Sequence, residues 1–219
     1  MTSPVSSRVN ISSDLCQLIR REVVDGTLPP GERINEVHLS GRLEVSRTPL
    51  REALSRLVAE GLIESVPRRG FFTRELSVEE VRQLYPLRAL LDPHALHLVG
   101  IPDRHCIAEL RQLNDQIANV RRPNVAVDLD NQWHRRLLLE CPNQLLLEMI
   151  EQLIWKTRRY EYAYLAETRN LRVATEEHEA IVDALERSDL SSACALLAKN
   201  MASTTEPLIA WLESREQDR

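Results

Sequence analysis

Apolar residues recur at helical spacing through the first 60 residues of the chain. In residues 9–24 the apolar side chains fall on one face of a helix, and the glycine- and proline-rich run 25–31 ends it as a loop. Two shorter helices are predicted at 36–43 and 48–60, and Gly61 is well placed to cap the second of them. The pattern therefore predicts three helices in this part of the chain.

A β-hairpin is predicted directly after these helices. Residues 62–66 and 71–73 are short strand candidates, and the segment 67–70 between them (Pro-Arg-Arg-Gly) has the composition of a turn. Three helices followed by a hairpin are the arrangement of a winged helix-turn-helix, with the hairpin as its wing.

The rest of the chain is helical in period, and prolines stand at or near several of the predicted junctions. The predicted helices cover residues 78–99, 103–120, 126–140, 143–162, 171–187 and 189–213. We therefore predict a mainly α protein with two domains, a winged helix-turn-helix with a short β-hairpin wing at 1–75 and an all-α helical bundle at 76–219. A bundle of this size has room for a cavity between its helices.

Charge is distributed unevenly along the 219 residues. The net charge is -5, which argues against a uniformly basic nucleic-acid binder. Residues 1–75 nevertheless hold 11 basic and 10 acidic residues, whereas the remainder holds 17 and 23. The arginines of the first part are clustered at Arg47, Arg51, Arg56, Arg68, Arg69 and Arg74. A local basic patch on an acidic chain suits a protein that meets nucleic acid at one end.

Other features of the composition bear on location. No apolar run approaches the length of a membrane span, and the N-terminus lacks the apolar core of a signal peptide. The four cysteines form no Cys-x-x-Cys pair, as is usual for reduced thiols. We therefore expect a cytoplasmic protein with no membrane partner.

The third predicted helix opens with two arginines, although the helix dipole disfavours cations at that end. Arg47 and Arg51 are four residues apart and share a face, and Pro49 is tolerated only in a first helical turn. Ser46 or Thr48 can cap the helix. The N-terminal end of the second helix of a helix-turn-helix enters the DNA major groove, where arginine binds guanine. Taken singly, each arginine could equally be a solvated surface charge, but the combination predicts DNA binding.

The predicted wing carries a second set of candidate contacts. Arg68 and Arg69 lie at the tip of the hairpin, and Gly70 allows a close approach of the backbone. We expect them to reach the DNA backbone or the minor groove.

These motifs resemble the N-terminal domain of the GntR family of bacterial transcription regulators. The resemblance is carried by residues 26–33, 39–54, Leu57, 60–63 and 69–70. It implies a homodimer that binds a pseudo-palindromic operator in double-stranded DNA. By the family pattern, Arg47, Thr48 and Arg51 contact DNA, with Gly70 at the wing.

The second predicted domain contains a pattern typical of a metal site. Asp130 and His134 are one helical turn apart, so their side chains lie on one face and are close enough to share a metal. His178 lies in an acidic helical segment. Taken alone, each of these residues could instead be part of a surface pair or a satisfied core histidine.

Residues 87–92, 130–134, 141–146, 177–181 and 193–201 resemble the FCD effector domain of the FadR-like branch of this family. The family uses an Asp and three His residues to hold a divalent metal beside a small carboxylate effector. The resemblance carries these roles to Asp130, His134 and His178. The fourth position departs from the pattern because it holds Asn200, and Asp92 and Trp133 stand where the family commonly has Glu and Phe.

Asn200 weakens the implied metal site, since a carboxamide oxygen is a poorer ligand for zinc or nickel than an imidazole. Manganese would tolerate it better, and a site without metal, in which polar side chains bind the effector directly, stays open. We expect no organic cofactor.

The resemblance also gives candidate effector contacts. Arg88 matches a position that can reach an effector carboxylate, although an ion pair with Asp92 is equally compatible with the sequence. For Asn143 we expect a helix cap as the main role and an effector contact as the second role. Asn200 completes the candidate set.

The sequence therefore predicts an effector-responsive transcription regulator, with repression relieved by ligand as the commoner arrangement in the family. One alternative is a metal-dependent hydrolase that uses Asp130, His134 and His178, but no nucleophile or general base stands beside them. A second alternative is a DNA-binding dimer that responds to no effector. We expect the protein not to be an enzyme.

Overall fold

The computed structural model describes residues 5–168 and 172–217. They fall into two compact units, one ending at Leu76 and the other beginning at Ser77. Helices dominate both units, and the only strands in the described part form one antiparallel hairpin in the first unit. The predicted fold class, a winged helix-turn-helix followed by an all-α bundle, is confirmed.

The first unit has three helices and a two-stranded wing. Its elements are α1 (Val5–Val24), α2 (Glu36–Arg42), α3 (Arg47–Ala59), β1 (Ile63–Val66) and β2 (Gly70–Thr73). The helix α1 packs on α3, and their shared core contains Ile19, Leu50 and Leu54, all fully buried. This packing holds the solvent-facing side of α3 in place.

A glycine turn ends α3 as the sequence predicts. Gly61 follows the C-cap residue Glu60 and has a φ of 75°, a conformation that a residue with a Cβ atom adopts only with strain. Its N–H donates to the carbonyl of Val58, and the N–H of Leu62 donates to that of Leu57, both at 3.0 Å. This pair of hydrogen bonds is a Schellman motif, which turns the chain directly into β1.

The second unit consists of seven helices in the described ranges. They are α4 (Val78–Val99), α5 (Arg104–Asn119), α6 (Pro123–Leu138), α7 (Gln144–Thr168), α8 (Arg172–Glu186), α9 (Leu190–Ser203) and α10 (Thr205–Gln217). The helix α9 packs on α4 and α8, and α5 packs on α6 and α8. Their core is continuous and includes the fully buried Trp133, Leu110 and Leu197.

One predicted helix is wrong. The run 189–213 forms two helices, α9 and α10, separated at Thr204. Pro207 favours a break here, because it has no N–H to donate to the preceding turn and is accommodated most easily in the first turn of a helix. The chain therefore restarts a helix at Thr205. The predicted start of the preceding helix at Leu171 lies outside the described residues.

A proline also shifts the start of α6, which begins at Pro123 rather than at residue 126. None of the helices that the structure describes is long and apolar enough to span a membrane.

Candidate functional site

The N-terminus of α3 presents four of the predicted DNA-contacting residues to solvent. Ser46, Arg47, Thr48 and Arg51 are all exposed. Ser46 occupies the N-cap with an extended backbone, but its side chain accepts no capping hydrogen bond, which differs from our expectation. The first-turn amides of α3 therefore receive no hydrogen bond from the Ser46 side chain, and the exposed Ser46 and Thr48 stand beside them.

The two arginines of α3 differ in their surroundings. Arg47 has no ion-pair partner among the described residues. The Nε atom of Arg51 lies 3.5 Å from an Oε2 atom of Glu36, and its guanidinium lies 5.8 Å from the centre of the Phe71 ring. The Arg51 side chain is 64% exposed, so this pair is a weak surface interaction.

The wing turn holds its basic residues outward. The N–H of Arg69 donates to the carbonyl of Val66 at 3.0 Å, and Gly70 pairs with Val66 across the hairpin. Arg68 has a φ of 64° and Gly70 a φ of 99°. Arg68 thus takes the left-handed conformation that usually favours glycine. Both arginines are exposed, and the Arg69 guanidinium lies 5.2 Å from the centre of the Phe72 ring.

The second unit brings the three predicted metal ligands together. Asp130 and His134 lie on α6, and His178 lies on α8. One oxygen of Asp130 is 3.5 Å from Nε2 of His178, and the other is 3.8 Å from Nε2 of His134. The three ligand atoms lie within 4.8 Å of one another. The 3.5 and 3.8 Å separations are close to those of donors that share one ion at about 2.0–2.2 Å.

Hydrogen bonding fixes the tautomer of His178. The amide nitrogen of Asn114 donates hydrogen bonds to the carbonyl oxygen of Thr175 at 3.1 Å and to Oε1 of Glu179 at 2.8 Å. Both of these oxygens can only accept, so the amide nitrogen of Asn114 must face them. Its oxygen therefore faces Nδ1 of His178, 3.2 Å away, and Nδ1 must carry the hydrogen. The unprotonated Nε2 of His178, which has no hydrogen-bond partner, then faces Asp130.

Burial controls ionisation at this cluster. It lowers the pKa of His178 to about 3, and it lowers the pKa of His134 well below its usual value, with the neighbouring His178 adding to the effect. Burial also raises the pKa of Asp130 to about 7, helped by the nearby Glu161 carboxylate. Both imidazoles are therefore neutral near pH 7, which is the form that ligates metals.

Aromatic packing holds the two imidazole rings at right angles. The indole of Trp133 stacks on His178 with ring centres 3.9 Å apart and planes 5° from parallel, and it meets the His134 ring edge-on. The position of Trp133 was noted in the sequence, but its stacking role was not predicted. Asn114 was missed because it lies on another helix, 64 residues before His178.

A cavity of about 160 Å³ opens beside this cluster. Its lining includes Asp130, His134, Arg88 and Asn200. Arg88 is buried, and its Nη2 lies 2.7 Å from Asp92, so the ion pair considered in the sequence is present. Burial also raises the pKa of Asp92, and the adjacent Arg88 opposes this effect.

The cavity is further lined by apolar and polar residues that sequence reasoning did not select as effector contacts. They are Tyr85, Ile117, Ala126, Val127, Glu161, Tyr164, Leu165, Glu177, Met201, Ser203, Thr204 and Pro207. Glu161 lies on a predicted helix, where an acidic residue gives no sign of facing inward.

Asn143 does not belong to the cavity lining, and its second expected role, as an effector contact, stays a prediction. It is exposed, and its Oδ1 accepts a hydrogen bond from the N–H of Leu146 at 3.1 Å. It therefore acts as the cap of α7, the first of the two roles expected for it.

Comparison with known proteins agrees with this geometry. The model of "Bacterial regulatory proteins, gntR family" matches residues 11–73, and that of the "FCD domain" matches residues 83–203. The Nta operon transcriptional regulator of Aminobacter aminovorans is 35% identical over 77% of this chain and 81% of its own length. A probable D-xylose utilization operon transcriptional repressor of Paenarthrobacter nicotinovorans is 28% identical over 86% of this chain and 84% of its own.

A solved structure has the same fold. E. coli McbR/YncC superimposes with a TM-score of 0.78 at 25% sequence identity, over 97% of this chain and 100% of that one. The matched regulators confirm that the protein is not an enzyme, and the hydrolase interpretation of Asp130, His134 and His178 is set aside. The chain belongs to the gntR family of bacterial regulatory proteins, carries an FCD domain, and is a DNA-binding transcription regulator.

Proposed function

We propose that this regulator binds a pseudo-palindromic operator as a homodimer and represses transcription until a small carboxylate effector binds beside a divalent metal in its cavity. The observation that carries the effector part is that metal-type donors, Arg88 and Asn200 line one cavity. The same chain carries a winged helix-turn-helix, so a ligand bound in this cavity would regulate DNA binding. Repression agrees with the word "repressor" in the name of one matched relative.

The N-terminal end of α3 is proposed to enter the major groove. Arg47 and Arg51 would contact base edges there, and the hydroxyls of Ser46 and Thr48 would contact phosphates. Their exposure and the absence of an ion partner for Arg47 in the described chain support this role. The wing residues Arg68, Arg69 and Gly70 would follow the adjacent backbone.

A divalent metal fits the Asp130, His134 and His178 cluster. The Nε2 lone pair of His178 and a carboxylate oxygen of Asp130 are both acceptors and lie 3.5 Å apart, so a proton or a cation must lie between them. A zinc, nickel or manganese ion would satisfy both and would add positive charge that attracts an effector carboxylate. The hydrogen bond between Asn114 and Nδ1 of His178 would keep His178 in the tautomer whose Nε2 can bind the metal.

Arg88 and Asn200 are the proposed direct contacts to the effector. The Nε atom of Arg88 and the Oδ1 atom of Asn200 are buried and have no hydrogen-bond partner. Buried polar groups of this kind normally find a partner, so a ligand that supplies one is favoured.

A charge-free surface on α4 supports the homodimer. Between residues 83 and 101 the only residues with formal charge are Arg88 and Asp92, which are buried and paired with each other. The exposed side chains of this stretch include the apolar Leu87, Leu90, Leu98 and Ile101, called here the α4 apolar face, and also the uncharged polar residues Gln83, His94 and His97. In a chain with 28% charged residues, such a surface is typical of the core of a protein interface. We assign it to contact with a second copy of the chain.

The proposal is tested on the full-length protein with metal analysis and DNA binding together. We expect purified protein to hold close to one divalent ion per chain after incubation with zinc, nickel or manganese, and His134→Ala to lose most of it without unfolding. His105→Ala, which removes a histidine that is 78% exposed, is the matched control.

Operator sequences recovered by in vitro selection should bind with an affinity that falls steeply as salt rises, because phosphate contacts release counterions. Protein that stays free of metal and whose melting temperature is moved by neither metal nor any small carboxylate would instead be a DNA-binding dimer that responds to no effector.

A further inference from the structure

The effector cavity is acidic, which a site for a simple carboxylate does not require. Three carboxylate side chains line it, those of Asp130, Glu161 and Glu177. Among the described lining residues Arg88 is the only cationic one, and its charge is already opposed by Asp92 at 2.7 Å. A divalent metal at Asp130 would offset part of this negative charge but would leave no positive surplus.

The two remaining carboxylates are not equally satisfied. Glu177 accepts hydrogen bonds from Asn200 at 2.9 Å and from the hydroxyl of Ser203 at 3.0 Å. Glu161 accepts one hydrogen bond from the amide of Asn131 at 3.2 Å, and within the described ranges it forms no ion pair. Among the described residues, Glu161 is therefore a cavity-wall carboxylate with no cation in ion-pair contact, since the nearby Arg88 attracts it only from a longer distance and pairs directly with Asp92.

Unpartnered atoms in the cavity point to both a donor and an acceptor on the ligand. Asn200 must turn its amide nitrogen to Glu177, which can only accept, so its Oδ1 is the free atom and needs a donor. The Nε of Arg88 is also free and needs an acceptor. Both side chains are more than nine-tenths buried, with exposures of 6% for Asn200 and 4% for Arg88.

We propose that the effector is an amino-carboxylic acid, whose ammonium group pairs with Glu161 and donates to Asn200 while its carboxylate is held by Arg88 and the metal. This inference rests on the proposed effector-binding function of the cavity. A volume of about 160 Å³ is similar to that of cavities that hold benzene, so the ligand has few non-hydrogen atoms. Val127, Leu165 and Met201 supply apolar wall for its carbon chain.

Matched pairs of small acids test this class directly. Each pair consists of an amino acid and the same acid without its amine: glycine and acetate, D- or L-alanine and propionate, aspartate and succinate, glutamate and glutarate. Melting temperature and calorimetric Kd are measured on the full chain, with and without added zinc, nickel or manganese. We expect the amino member of at least one pair to bind about tenfold or more tightly than its partner, because it gains a charge-assisted hydrogen bond.

Glu161→Gln should abolish this preference without lowering the metal content, since Gln keeps the hydrogen-bond acceptor for Asn131 and loss of the Glu161 charge favours the ionised, metal-ligating form of Asp130. Glu148→Gln removes an exposed carboxylate from the same helix, α7, and should keep the preference. Equal or tighter binding of the acids without an amine in every pair would overturn the inference and leave the proposed function in place. No binding by either member of any pair would also overturn the inference, and the metal analysis and DNA binding described above would then decide the proposed function separately.

Discussion

At the scale of single residues, the two arginines at the start of α3 differ in how freely each can reach DNA, because their neighbouring side chains differ. Arg47 is exposed and has no ion-pair partner in the part of the chain described, whereas Arg51 is shared between Glu36 and the Phe71 ring. An exposed pair such as Arg51–Glu36 contributes at most about 1 kcal/mol. It still has to be rearranged before Arg51 can turn fully to DNA.

We therefore expect Arg47→Ala to weaken operator binding by about 1–3 kcal/mol and Arg51→Ala to weaken it by less. Fluorescence anisotropy on the selected operator measures both. Arg104→Ala, an exposed arginine at the start of α5, is the control and should bind as the unmodified protein does. Unchanged affinity in both α3 variants would remove these residues from the DNA interface.

Asn200 gives a second prediction at this scale. It lines the same cavity as Asp130 and His134, at the position where the family commonly has histidine. Asn200→His should tighten metal binding by about tenfold or more, because an imidazole replaces a carboxamide oxygen. A competition titration against a chelator of known affinity measures the change. No gain in affinity would mean that residue 200 does not face the ion.

The sequence predicted part of the candidate site and missed the rest for physical reasons. Asp130 and His134 are one turn apart, so their proximity follows from helix geometry alone. His178 is 44 residues further on, and only the family resemblance connected it to them. Asn114 and Glu161 could not be predicted, because their roles depend on how α5 and α7 pack against the other helices.

At the scale of secondary structure, prolines account for two of the differences between the predicted and the observed helices, whereas the extension of α7 from the predicted end at residue 162 to Thr168 involves no proline. Pro123 starts α6 and Pro207 lies in the first turn of α10. The apolar periodicity continues past both, so a prediction based on spacing alone places these ends incorrectly. Pro86 and Pro93, in contrast, lie inside α4, which runs over the predicted range 78–99 without a break.

The cap of α7 provides the prediction for this scale. Asn143→Ala should lower the free energy of unfolding by about 1 kcal/mol, because the N–H of Leu146 loses its acceptor. Urea denaturation followed by circular dichroism measures it. Asn124→Ala, an exposed asparagine in the first turn of α6, is the control. A variant of normal stability with weakened effector binding would identify Asn143 as an effector contact.

At the scale of the whole molecule, the proposed assembly of two copies is the feature most open to direct test. Leu90 is 69% exposed in the middle of the α4 apolar face. Leu90→Glu would place a charge in the interface core, so we expect the dimer Kd to rise about tenfold or more while the helical content is unchanged. Sedimentation over a range of concentrations measures the Kd.

Leu145→Glu is the matched control, since Leu145 is 68% exposed on α7. The assignment of the α4 apolar face would be wrong if the Leu145 variant dissociated while the Leu90 variant did not. A dimeric Leu90 variant with full operator affinity would also contradict it.

The inner side of the helix α4 faces the cavity, and its outer side faces solvent. Its inner side carries Arg88 to the wall of the cavity, and its outer side carries Leu87 and Leu90 to solvent. The thickness of one α-helix with its side chains is about 10 Å. A small molecule that displaces Arg88 would therefore act on the proposed interface between two copies from only one helix diameter away, without a chain of intervening residues.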